Sequence, residues 1–156
     1  MNADSTRLGR RARTAATIVR LGTLYSIASI AKHIFPLPRL ARWAWREPPA
    51  APDEPRAQAA IACMVRLRTL TGQSQNDCLQ ASLVLYRELS AAGCNPQLLG
   101  GFRRGGSGIE GHTWVTVNDA VVGETLTTSL PFEPAFAFGR GGARIDVPSG
   151  SSAAPI

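Results

Sequence analysis

The chain is 156 residues long, 44% hydrophobic and only 6% aromatic, enough for one domain with a modest and mainly aliphatic core. Its net charge of +6 would suit a nucleic-acid binder, but the basicity sits at one end: residues 1–50 carry eight arginines and Lys32 against Asp4 and Glu47, whereas residues 51–156 carry eight arginines against nine acids, so no nucleic-acid surface is expected on the main body. Cys63, Cys78 and Cys94 are odd in number and lack C-x-x-C spacing, which argues against a disulfide framework and for a reducing, cytoplasmic setting.

The first apolar run, RRARTAATIVRLGTLYSIASIAKHIFPLP, imitates a signal peptide, but Arg20 and Lys32 interrupt it, and a spanning helix needs roughly 20 apolar residues. Ile18, Leu21, Leu24, Tyr25, Ala28 and Ala31 follow helical spacing, predicting an amphipathic helix that packs on the protein's own core, on a partner or on a membrane surface, the last giving a peripheral membrane contact through residues 14–45. Pro36 and Pro38 end it, LARWAWR reads as a second short helical element, and His33 reads as structural or interfacial.

REPPAAPDEP, residues 46–55, is a Pro-rich linker. A helix is predicted from Pro55 to about Thr71, with Ala60, Met64, Leu67 and Leu70 on one face and Gly72 at its end. In NDCLQASLVLYRELSAAG, Asn76 or Asp77 is the N-cap, Leu79, Leu83, Tyr86 and Leu89 form the apolar stripe, and Gly93 is the C-terminal cap. Cys78 therefore falls in the first turn of a helix.

The apolar period then changes to two, giving strands at PQLLGGFRR, GHTWVTV and AVVGETL, with residues 103–111 as a flexible glycine-rich loop. Helices followed by an antiparallel meander make an α+β pattern. The chain divides into a basic helical segment (1–45), the linker (46–55), a core (56–138) and a mostly disordered tail (139–156).

A thiol becomes a strong nucleophile when its pKa falls, and a helix N-terminus together with an imidazolium achieves this. Cys78 has the first, and His112, on the second strand, supplies the second if that strand crosses the helix end. The amide of Cys78 offers half of an oxyanion hole, with Gln73 or Gln75 as the side-chain donor. A third group must orient His112. Glu124 qualifies if the hairpin has a three-residue connection or a bulge; a two-residue turn at Asn118-Asp119 would pair Thr113 with Glu124 and turn His112 to the other face. Asp119 reads as a turn former, and Cys63 and Cys94 as structural. The three cysteines and His112 have the ligand types of a zinc site but irregular spacing, so no metal is assigned.

CLQASLVLYRELSAAGCNPQLLGGFRR and GHTWVTVNDAVVGE together resemble the transglutaminase-like cysteine peptidases of lasso peptide biosynthesis, the B proteins that remove a leader from a ribosomal precursor. The resemblance covers about residues 60–125. It implies a transglutaminase-like or papain-like core of helices on a small antiparallel sheet, and a Cys78, His112, Glu124 triad working without a cofactor. Three departures stand out: glutamate for the family's aspartate at 124, Gly111 for alanine, and Thr116 for glutamate. The partners implied are the precursor leader peptide, a separate leader-recognition protein, since the first 50 residues are too few and too helical for the fused winged-helix-like domain of some members, and an ATP-dependent lasso cyclase. The rival readings are an acyltransferase using the same three residues and a non-catalytic membrane-associated adaptor.

Overall fold

The computed structural model describes residues 3–71, 77–105, 108–124 and 132–147. Four helices, α1 (Ala3–Ala31), α2 (Leu37–Ala44), α3 (Glu54–Thr71) and α4 (Cys78–Ala91), precede five strands, β1 (Pro96–Gly105), β2 (Gly108–Val117), β3 (Ala120–Val122), β4 (Glu133–Phe138) and β5 (Arg144–Ile145). Helices are found in each stretch expected to be helical, although α2 begins at Leu37 and takes in Pro38, read as a helix end, and the expected stop at Gly72 lies outside the described residues; the result is the expected α+β arrangement.

Helix α4 is the hub, flanked by α1, α2 and α3 and packed on β1 and β2. Leu83, Val84, Leu85, Tyr86 and Leu89 are all but fully buried, and so are four of its polar side chains, each of which has a partner. Ser82 Oγ donates to the Thr113 carbonyl at 2.8 Å; Ser90 Oγ accepts from the Arg46 amide at 3.1 Å; Gln80 Oε1 accepts from Lys32 Nζ at 3.0 Å. Gly93, with φ +84°, caps the helix in the left-handed conformation.

Glu88 ties three helices together. Its side chain is 2% exposed, and its carboxylate accepts from Arg20 of α1 at 2.7 Å and from Arg56 of α3 at 3.3 Å. Glu88→Gln keeps the shape but loses the charge-assisted bonds, and both guanidiniums are exposed enough to rehydrate. The expected cost is therefore about 2 kcal/mol, read as a lower urea midpoint at constant slope; an unchanged midpoint would mean that the clasp adds nothing to stability.

The basic segment is not a separate unit from Leu21 onward. Leu21, Ala28, Leu40, Ala41, Ala44 and Trp45 share the main core with α3, α4 and one face of the sheet. Ile18, expected on the packed face of α1, is instead 55% exposed.

The sheet order is β3-β2-β1-β4-β5, with every neighbouring pair antiparallel. Leu98, Val115 and Phe138 face the helices, while Leu99, Trp114 and Ala137 form a small second cluster on the other face. Two expectations are corrected here. Residues 103–111 are mostly not a loop: Arg103 pairs with Glu110 and Arg104 with Ile109 as β1 and β2 run on, helped by an Arg103–Glu110 ion pair at 2.7 Å. Of the tail expected to be mostly disordered, the described part holds a 3-10 turn at Arg140–Gly142 and strand β5, while residues 148–156 lie outside the described residues; Gly139 is held because its carbonyl accepts from the buried Tyr86 hydroxyl.

Candidate active site

Cys78 is the first residue of α4. Asp77 holds the N-cap position without a side-chain capping bond, because its carboxylate instead accepts from Gln80 Nε2 at 2.5 Å. The first-turn amides therefore receive no cap from Asp77, at the helix end that carries the thiol. Gln80 in turn reaches Lys32, which fixes the start of α4 against the end of α1.

His112 stands on β2, 7% exposed. Its ring stacks on Trp114, with centroids 6.1 Å apart and planes at 12°, and meets Phe132 at 5.0 Å. Nε2 lies 2.9 and 3.2 Å from the two oxygens of Glu124. The Cys78 thiol is hydrogen-bonded to the same ring, and since Nε2 is committed to Glu124, Nδ1 is the nitrogen left for sulfur.

Glu124 reaches this position by a route the sequence reading did not foresee. The β2–β3 hairpin has a two-residue turn, with Asn118 and Asp119 at φ +50° and +63° and Val117 opposite Ala120. Continued in register, this turn would set Glu124 opposite Thr113 and away from His112, so the requirement for an odd connection or a bulge is corrected. The strand stops at Val122, and Gly123, at φ +73°, turns the chain toward His112. A Cβ at Gly123 would lie 2.4 Å from Leu85 Cδ2, so the turn also demands the absence of a side chain.

Arg68 of α3 escaped the sequence reading. Its Nη1 donates to Glu124 Oε1 at 2.5 Å, with side chains 11% and 4% exposed, and its Nη2 reaches Ser82 Oγ at 3.4 Å. No local pattern marks this arginine among its neighbours Arg56 and Arg66; only the packing of α3 against α4 brings it to the site. Thiol, imidazole, carboxylate and guanidinium form one connected chain, buried at His112 and Glu124 and half-buried at Cys78.

Their proton affinities shift together. Burial pushes the Cys78 thiol up, but hydrogen bonds from His112 and the Thr113 backbone and the imidazolium charge outweigh it and leave its pKa below the ordinary thiol value. Burial alone would lower His112, yet its bonds to Cys78 and Glu124 and their charges raise it to about 9. Burial raises Glu124, and the charges and bonds of His112 and Arg68 more than reverse this. These shifts run in the direction of a thiolate–imidazolium pair backed by an ionised carboxylate. Burial leaves Cys63 and Cys94 with raised pKa values instead.

Gln73 and Gln75 lie outside the described residues. Asp119 sits in the hairpin turn, as expected. The zinc alternative does not assemble: among the described residues, no group of three or more His, Cys, Asp or Glu side chains could hold a metal.

Compared with known proteins, residues 17–137 match the family model described as the transglutaminase-like superfamily. No curated protein and no solved structure matches the chain.

Proposed function

The chain belongs to the transglutaminase-like superfamily, which includes cysteine peptidases and acyltransferases, and on that premise we propose that it is a cysteine endopeptidase removing the leader from a lasso peptide precursor. The observation that carries the reading is the hydrogen-bonded chain Cys78, His112, Glu124 at the start of a helix. The leader-removal assignment is supported by the two stretches that resemble the lasso B proteins.

In this mechanism the Cys78 thiolate attacks the scissile carbonyl carbon. The oxyanion that forms is met by the Cys78 amide and a second donor, for which Gln73 and Gln75 are the candidates. His112 gives its Nδ1 proton to the leaving amine, and the leader is left as a thioester on Cys78. His112, now neutral, takes a proton from water as it attacks the thioester; the leader leaves with a free carboxylate and the pair is restored. Glu124 fixes the ring through Nε2 and offsets its charge. The three cysteines, free among the described residues, fit a reducing cytoplasm. A separate leader-recognition protein would present the precursor, and an ATP-dependent cyclase would take the freed amino terminus.

The test is to incubate the chain with precursor and recognition protein and to weigh the products. Hydrolysis gives core peptide and a leader carboxylic acid; a leader joined to an added amine would favour the acyltransferase; intact precursor would favour the adaptor.

Arg68 is a positioning residue in this scheme, since it touches Glu124 and not the reacting atoms. Arg68→Gln should lower kcat/KM roughly tenfold to a hundredfold by loosening Glu124, with Arg68→Lys recovering part of the loss. A steady-state assay across pH checks this, and an unaltered kcat/KM in Arg68→Gln would show that Glu124 needs no such support.

A further inference from the structure

Of eight large apolar side chains left exposed among the described residues, six lie between Ile18 and Phe35. Leu21 and Ala28 turn α1 toward the core, and on the opposite side stand Val19 (68% exposed), Ile27 and Ile30 (65%), continued by Ile34 in the turn that follows. The two hydroxyls on this outer side are already spent within the helix: Thr23 Oγ1 donates to the Val19 carbonyl and Ser26 Oγ to the Gly22 carbonyl, both at 3.0 Å. The face therefore presents aliphatic surface with no hydroxyl proton offered outward. Nothing in the proposed peptidase chemistry uses it.

What covers such a face can be argued from its chemistry. Protein interfaces are enriched in aromatic residues, methionine and arginine and carry many hydrogen bonds; this stripe is isoleucine and valine, with a single aromatic, Phe35, at its end. A second copy would bring together two segments that each carry an excess of seven positive charges over residues 1–50. Hydrocarbon needs no hydrogen bonds, and anionic headgroups attract arginines. Arg39, Arg42 and Arg46 are exposed immediately beyond the stripe. Among the described residues no helix is long and apolar enough to cross a membrane, so a membrane-bound α1 would lie in the interface plane.

We infer that the outer face of α1 docks on an anionic membrane surface, with Val19, Ile27, Ile30 and Ile34 entering the acyl boundary and the neighbouring arginines meeting lipid phosphates. The Lys32–Gln80 bond joins the end of this helix to the first turn of α4, so docking would hold the Cys78 end of the molecule to the bilayer as one body with α1.

Co-sedimentation of the full chain with vesicles tests this. The protein should pellet with phosphatidylglycerol-containing vesicles and far less with pure phosphatidylcholine, and added salt should weaken the binding. The triple variant Ile27→Ser, Ile30→Ser, Ile34→Ser should bind roughly tenfold or more weakly while keeping its melting temperature. Arg39→Glu with Arg42→Glu should erase the preference for anionic lipid. Failure of the full chain to pellet, or equal pelleting of the triple variant, would overturn the inference, as would a dimer that the triple variant breaks while neither protein binds vesicles.

Discussion

Cys78→Ala should abolish leader cleavage, slowing it by roughly 10⁴-fold or more, while leaving the melting temperature unchanged or slightly raised. The loss is large because in the proposed mechanism the thiolate is the group that bonds to the substrate, whereas His112 is held by Glu124 and Trp114, and Glu124 by Arg68. The fold should survive because alanine is the best helix former and the thiol is a half-buried group at a helix end rather than part of the main core. Activity and thermal unfolding measured on one preparation check both halves, and cleavage retained by the alanine variant would remove the mechanism.

His112→Ala should cost roughly 10³-fold or more in kcat/KM and should also reshape the pH profile. In the proposed mechanism the pair works as thiolate and imidazolium. The rate falls at low pH as the thiolate takes up a proton, and at high pH as the imidazolium loses its own near 9; both limbs belong to the coupled pair and not to either residue alone. Without the imidazole, the alkaline limb disappears. The acid limb moves upward, because burial, which raises the thiol, is no longer opposed by His112. Stability follows the same linkage. His112 has a folded pKa raised above its usual 6.5 to about 9, so its contribution is complete below 6.5 and is lost as pH rises through about 9. A kcat/KM profile that keeps both limbs in the variant would show that they arise elsewhere.

The parts of this arrangement that could be read from the sequence are those with a local physical signal. Cys78 was legible because Asp77 and Gly93 bracket an apolar stripe, and His112 because period-two alternation sets it on a strand. Asp119 was legible as a turn residue, but the two-residue length of the turn was not, since the triad reading called for an odd connection or a bulge. What the sequence did not betray depends on contacts between distant segments. Glu124 reaches His112 only because Gly123 ends β3 with a left-handed turn against Leu85, and strand register alone pointed the other way. Arg68 looks like any helix arginine until α3 is laid beside α4. Strands β4 and β5 were missed because EPAFAF carries a proline at its second position and Arg144-Ile145 is too short to show a period; their partner strands define them. Gly105 and Gly108 read as a loop, whereas cross-strand pairing and the Arg103–Glu110 bond carry the hairpin almost to its tip.

The chemical proposal rests on one property, a Cys78 thiol activated by its neighbours. The most direct measurement is the rate of alkylation at each cysteine of the folded protein, resolved by peptide mass spectrometry across pH. Cys78 should react fastest and keep reacting in mildly acidic buffer, where Cys63 and Cys94, with pKa values raised by burial, remain slow. If Cys78 reacts no faster than those two and gains reactivity only in alkaline solution, the thiolate–imidazolium pair does not form and the account fails.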